Sequence, residues 1–184
     1  MDKLGVGIIG CGWVAEEYVK AFQKDPRSEV RALVSRSLER PEGYKQKHAL
    51  NCTVTADHAA MLKRDDIDIV VVSTPHDEHT RYVVASAEAG KHVIIEKPVA
   101  LSMADVRLQQ AAVRSTGVKT VVSFVLHWNP LLMSIDNLLA QNALGRVFMV
   151  EVDYLHRIWC GPERWLGSKK HGGTSILAGG CHAV

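Results

Sequence analysis

The sequence predicts an α/β fold, a doubly wound parallel sheet with helices on both faces. Three observations carry that expectation. Short apolar segments alternate with helical repeats from residue 4 to about residue 125. The best of those segments are β-branched almost throughout, as strands buried on both faces must be. A glycine-rich turn, Gly10-Cys11-Gly12-Trp13-Val14-Ala15, stands at the first strand-to-helix junction.

Val6 to Ile9 reads as the first strand, and a helix follows from about Trp13 to Gln23, stopped before Pro26. Val30 to Val34 is the second strand. The helical stretch after it is expected to break near Pro41-Glu42-Gly43, before a weak strand around Cys52 to Thr55. Asp57 suits the N-cap of a short helix reaching Leu62. Ile67 to Val72 is the clearest core strand. The helix after it, about Glu78 to Ala89, meets a terminating glycine at Gly90. His92 to Ile95 is the next strand. Ser102 caps a helix whose Leu101, Ala104, Leu108, Ala111 and Ala112 recur at helical spacing, and Val118 to Val125 returns to the sheet. The pattern changes after Asn129-Pro130. A helix follows, marked by Leu131, Leu132, Ile135, Leu138 and Leu139 and closed by Gly145. A long, partly alternating strand is then expected over Val147 to Ile158. The expected division is residues 1–125 for one domain and 126–184 for the beginning of a second.

A chain of 184 residues can bury a sizeable core, and 47% hydrophobic with 23% charged residues is an ordinary globular balance. A net charge of +2, with no basic groove interleaved with aromatics, gives no reason to expect nucleic acid. No apolar run approaches the ~20 residues of a membrane span, and no signal-peptide pattern opens the chain. Cys11, Cys52, Cys160 and Cys181 form no C-x-x-C pair, which argues against structural zinc and a disulfide framework. A cytoplasmic protein with free thiols, no metal and no membrane partner is the expectation.

The glycine turn fits G-x-G-x-x-A. Gly10 permits the tight turn and Gly12 lets backbone approach a pyrophosphate. Ala15 lets the helix pack closely, and the amides of Cys11, Trp13 and Val14 face the anion near the helix N-terminus. This is the dinucleotide-binding signature of a Rossmann domain. No acid stands at the end of the second strand to hold ribose hydroxyls. Ser35 and Arg36 are there instead, and they favour the 2′-phosphate of NADP over NAD. At the carboxyl edge of the sheet lie Thr74, Pro75 and His79 after the fourth strand, then Glu96-Lys97-Pro98 after the fifth. Ligands bind at that edge, so all are candidate cofactor contacts, with a capping or surface role the alternative for His79.

Together these features resemble the glucose–fructose oxidoreductase / inositol dehydrogenase (Gfo/Idh/MocA) family. The resemblance runs through Val6-Gly7-Ile8-Ile9-Gly10-Cys11-Gly12, Ser73-Thr74-Pro75 with His79, and Ala89-Gly90-Lys91-His92-Val93 leading to Glu96-Lys97-Pro98. It continues through Asn129-Pro130, Gly172-Gly173 and Gly180-Cys181-His182. It implies a Rossmann domain followed by an open-faced α/β substrate domain, a Lys97-Pro98 bond that is often cis, and a nicotinamide-dependent oxidoreductase. The implied substrate is a sugar, polyol or related hydroxy or keto compound. Lys97 would polarise the substrate oxygen or relay its proton, and His182 would be the base in oxidation and the acid in reduction. His127 and Trp165 are the candidate substrate contacts, and a homo-oligomer is implied for the full-length protein.

Two departures bear on this. Ala178 stands where many relatives carry an aspartate four residues before the histidine, and His127 where they often carry arginine. A single long strand after residue 146 would leave unpaired edges, so the chain reads as a fragment of a longer enzyme. A nucleotide-binding sensor without turnover is the alternative function, and a glycosidase with tightly held NAD a third.

Overall fold

The computed structural model describes residues 3–155, 165–172 and 174–182. Its backbone contacts divide the chain into two compact units, Met1–Val122 and Ser123–Val184.

The first unit is built on a parallel sheet. Strands β1 (Leu4–Ile9), β2 (Ser28–Val34), β3 (Thr53–Thr55), β4 (Ile69–Val72), β5 (His92–Glu96) and β6 (Thr120–Ser123) lie in the order β3-β2-β1-β4-β5-β6. The order reverses between β1 and β4, which pair in parallel through Val6–Ile69 to Ile9–Val72. This is the topology of a Rossmann sheet, and its ligand crevice opens where the carboxyl ends of β1 and β4 diverge. The helices are α1 (Trp13–Lys24), α2 (Glu39–Lys47), α3 (His58–Leu62), α4 (His79–Glu88) and α5 (Met103–Thr116).

Alternation along the strands splits the core into two layers. Val6, Ile8, Leu33 and Val71 pack with Ala15 and Val19 of α1, and with Tyr44 of α2 at the margin. Ile9, Val34, Val70 and Val72 pack on the other face with Met61 and Leu62 of α3 and Tyr82 and Val83 of α4. Each fully buried valine contributes about 1.5–3 kcal/mol.

Caps fall where the side chains predict them. Asp57 accepts from the Ala60 amide at 2.9 Å, and Ser102 Oγ accepts from the Asp105 amide at 3.1 Å. Gly117 closes α5 in the left-handed conformation at φ 69°.

Two local expectations are corrected. Pro41 and Gly43 do not interrupt α2, which runs unbroken from Glu39. Leu38 is its N-cap, so Pro41 is the third helical residue, where an N–H has no intrahelical partner to lose. The first carbonyl of the ladder, that of Leu38, accepts from Glu42 at 3.0 Å. The long strand expected from Val147 is also not formed over residues 147–155, and residues 156–158 lie outside the described set. A lone extended segment gains no ladder hydrogen bonds, and no later strand exists among the described residues to pair with it.

The second unit holds a 3-10 turn (Val125–Trp128), helix α6 (Pro130–Ala140), two further 3-10 turns (Trp165–Gly167 and Lys169–His171), a short helix α7 (Ser175–Ala178) and the turn Gly180–His182. Asn129 starts α6 by accepting from the Leu131 amide at 2.9 Å, with Pro130 in the first turn. Among the described residues, no helix is long and apolar enough to cross a membrane.

Candidate functional site

The glycine turn sits at the carboxyl end of β1, and each of its residues has a distinct setting. Gly10 has φ 95°, a conformation disfavoured for any side chain. A Cβ there would lie 2.6 Å from the Ser73 carbonyl oxygen and 2.7 Å from the Thr74 nitrogen. Gly10 is thus required for packing against the β4 exit. Gly12 differs: its φ is −74°, and a Cβ on it would meet nothing within 4 Å. That open side is where a diphosphate would approach the backbone. The N-cap of α1 is Gly12, which has no side chain to cap the first-turn amides beside this open side.

The side chain of Cys11 turns away from this opening. It is 4% exposed, sits in the core layer, and reaches the Val34 carbonyl at 3.7 Å. Burial pushes its thiol pKa up to about 12, so it offers no thiolate, and its contribution to the turn is its main chain. Trp13 is 73% exposed beside the turn, Val14 is half-buried, and Ala15 is fully buried against the sheet. The turn is braced from α2, where Tyr44 Oη donates to the Gly12 carbonyl at 3.0 Å. Burial raises the phenol pKa, which keeps that donor protonated. Glu16, in the first turn of α1, accepts from Lys47 Nζ at 2.7 Å and pairs with His48 Nε2 at 2.9 Å. Those partners lower its carboxyl pKa to about 2.

Beyond β2 lies a cavity of about 640 Å³, lined by Cys11, Ser35, Ser37, Glu39, Arg40, Gly43, Tyr44 and Lys47. Ser35 is in this wall, whereas Arg36 is exposed and is not part of the lining. The cations that line the space are Arg40 and Lys47. Sequence reasoning passed over both, together with Tyr44. The signal was available, because positions 40, 44 and 47 share one face of a helix. The assumed break at Pro41 concealed it.

The exits of β4 and β5 form the other half of the crevice. Ser73 N–H donates to the Ile9 carbonyl at 2.9 Å and Ser73 Oγ to the Gly10 carbonyl at 2.7 Å, locking the β4 exit to the glycine turn. The Thr74 hydroxyl is buried and has no hydrogen-bond partner among the described residues. Pro75 precedes a 3-10 turn, His76–Glu78, that leads into α4. His79 is the exception among the expected cofactor contacts. It is fully buried, with Nδ1 2.9 Å from the Pro98 carbonyl and Nε2 3.0 Å from the Thr74 carbonyl. Each ring nitrogen faces a backbone carbonyl; a neutral ring has one N–H, so it donates to one of the two and packs against the other, lying between the two loops. Burial lowers its pKa, against the pull of the two carbonyls.

Glu96 Oε1 accepts from Tyr18 Oη at 2.7 Å, and its Oε2 accepts from the Lys97 amide at 3.2 Å. The carboxylate fixes the start of the Lys97-Pro98 turn to α1. The Lys97-Pro98 peptide is cis.

In the second unit, His182 lies in its 3-10 turn against Tyr154, with ring centroids 5.4 Å apart, and edge-on to Phe124 at 6.4 Å. His127 is exposed and edge-on to Trp128, with centroids 4.9 Å apart. Trp165 is 36% exposed in its own turn, and Ala178 ends α7. Lys97 belongs to the first unit, and His182, His127 and Trp165 to the second. Among the described residues, no group of three His, Cys, Asp or Glu could hold a metal ion.

The first unit fits a dinucleotide on its own features. They are an open approach over Gly12, a helix N-terminus whose N-cap is glycine, a buried Thr74 hydroxyl with no hydrogen-bond partner among the described residues, and a cavity beyond β2 lined in part by Arg40 and Lys47. Comparison with known proteins agrees. Residues 4–124 match the model of the Gfo/Idh/MocA oxidoreductase family, described as having an NAD-binding Rossmann fold. The chain is 31% identical over 153 residues to oxidoreductase P35 of Formosa agariphila, covering 82% of this chain and 47% of the relative. It is 29% identical over 180 residues to trans-1,2-dihydrobenzene-1,2-diol dehydrogenase of Xenopus laevis, covering 97% and 54%. A crystal structure of KijD10, a 3-ketoreductase from Actinomadura kijaniata in complex with NADP, superposes with a TM-score of 0.70 at 27% identity, covering 78% of this chain and 46% of that one. The chain spans about half the length of the curated relatives it matches. With the sheet order, the glycine turn and the family match in agreement, this chain belongs to the Gfo/Idh/MocA family of oxidoreductases and carries its NAD(P)-binding Rossmann fold.

Proposed function

We propose that this protein is a nicotinamide-dependent oxidoreductase acting on a sugar, polyol or related hydroxy or keto compound, with NADP preferred over NAD. The observation that carries the reading is the arrangement at the carboxyl edge of the sheet. The open glycine turn lies at one end, a cation-lined cavity lies beyond β2, and a braced lysine lies at the exit of β5. When bound, the nicotinamide ring accepts or gives up the hydride. Everything else falls to the chain. Backbone amides between Gly10 and Ala15 hold the diphosphate, and Tyr44 keeps the Gly12–Trp13 peptide turned for that purpose. Arg40 and Lys47, with Ser35, receive the 2′-phosphate, and Arg36 adds exposed positive charge beside them. Glu96 holds the amide of Lys97, so that the ammonium can polarise a substrate oxygen or pass it a proton. His182 takes the proton in oxidation and returns it in reduction. His127 and Trp165 are the proposed substrate contacts, and the full-length protein is proposed to be an oligomer. The likeness to a diol dehydrogenase and a 3-ketoreductase supports a hydroxyl/carbonyl interconversion. Ala178 favours a second reading, a nucleotide-binding sensor that has lost turnover.

The test is NADPH oxidation, followed at the nicotinamide absorbance, against a panel of keto sugars, and NADP reduction against polyols. Lys97→Ala is expected to lose nearly all turnover, on the order of 100-fold or more, while keeping NADPH affinity. Normal turnover by that variant would overturn the role given to Lys97. NADPH binding with no turnover on any panel member would favour the sensor.

A further inference from the structure

The crevice contains a buried imidazole that the proposed mechanism does not use. His79 opens α4 and is fully buried, yet its two ring nitrogens reach backbone carbonyls belonging to two different loops. One is the carbonyl of Thr74 at the β4 exit, 3.0 Å away, and the other is that of Pro98 at the β5 exit, 2.9 Å away. An imidazole is rigid, so it fixes the separation of the two groups it bridges. With its pKa lowered by burial the ring is neutral, so it donates through one nitrogen and spaces the second carbonyl by packing against it.

The bridge continues on either side. The Ser73–Thr74 peptide is packed so tightly on Gly10 that no Cβ fits between them, and Ser73 bonds to both Ile9 and Gly10. The β4 exit and the glycine turn are therefore one block. On the other side, Pro98 directly follows Lys97. Glu96 holds the amide side of the Lys97-Pro98 turn, and His79 holds its carbonyl side. Through this one ring the Pro98 carbonyl is tied back to the glycine-turn block.

We propose that His79 is a positioning residue, which sets the distance of the Lys97-Pro98 turn from the glycine turn and so the approach of the Lys97 amine to a bound nicotinamide. The role rests on the reading of Lys97 given above, and the experiment separates the two. Wild type, His79→Ala and His79→Gln are titrated with NADPH by nicotinamide fluorescence. Each is then treated with acetic anhydride with and without saturating NADPH, and acetylation of Lys97 is quantified by mass spectrometry, with Lys91 and Lys119 as internal references. In wild type, NADPH is expected to slow acetylation of Lys97 by about tenfold. In His79→Ala, NADPH affinity should stay within about threefold of wild type while protection of Lys97 falls below about twofold. General destabilisation would not produce that split, because it would weaken binding and protection together. His79→Gln keeps a donor for one carbonyl but lacks the rigid ring, and should keep intermediate protection. It carries the test if the alanine variant does not fold. Wild-type protection in a variant that binds NADPH would overturn the proposal. So would loss of protection only in step with loss of binding. If NADPH binds the wild type without protecting Lys97, the reading of Lys97 itself fails, and the role of His79 fails with it.

Discussion

Two substitutions of the same chemistry, two residues apart, should have opposite consequences. In Gly10→Ala the new methyl meets main-chain atoms of Ser73 and Thr74 at 2.6–2.7 Å, at a φ of 95°. The backbone conformation costs about 1–2 kcal/mol and the collision about 1–3 kcal/mol more, a loss of roughly 2–5 kcal/mol in all. For a protein of this size that is a fall in Tm of roughly 4–20 °C. In Gly12→Ala the φ of −74° suits any residue and the methyl meets nothing within 4 Å, so stability should hold or rise by up to about 1 kcal/mol. The same methyl fills the space through which a diphosphate reaches the amides. Losing one charge-assisted hydrogen bond worth about 1.5–3 kcal/mol raises the Kd for NADPH by about 10- to 150-fold. Urea unfolding read by tryptophan fluorescence measures the first effect, and nicotinamide fluorescence titration the second. Wild-type NADPH affinity in Gly12→Ala would refute the diphosphate site. Wild-type stability in Gly10→Ala would refute the packing account.

Other consequences follow from the walls of the site. Arg40→Ala should weaken NADPH by about tenfold or more and NADH little, whereas Arg36→Ala should cost less; equal losses of both nucleotides would remove the 2′-phosphate role of the cavity. Tyr44→Phe deletes the donor to the Gly12 carbonyl and should cost about 0.5–1.5 kcal/mol of NADPH binding, read as a rise in Kd of about 2- to 13-fold. Glu16 has a folded pKa of about 2, below its ordinary 4.5, so its contribution to stability is complete above about pH 4.5 and is lost as pH falls toward 2. Glu16→Gln should flatten the acid limb of a stability–pH curve between those values, and added salt should shrink the difference, because the group lies at the surface.

The fold was legible because its signals are local and repeated. β-Branched runs, the capping residues Asp57 and Ser102, and the terminating Gly117 each state one element, and their alternation leaves few topologies open. The glycine turn was legible for the same reason. The walls around it were harder to read. Arg40, Tyr44 and Lys47 become neighbours of the turn only because α2 runs through Pro41, which is harmless in a first turn but reads as a breaker when the N-cap is not known. His79 was found as a residue but not as a brace, because its partners are two carbonyls, and backbone acceptors leave no mark in a sequence. Cys11 was read by its place in the motif, but only its side-chain direction shows that the thiol belongs to the core.

The position of a bound dinucleotide is the most direct test of the site. In crystals soaked with NADPH, the diphosphate should sit within hydrogen-bond distance of the amides between Gly10 and Ala15, with the nicotinamide ring beside the amine of Lys97. A diphosphate bound elsewhere, or a ring remote from Lys97, would contradict it.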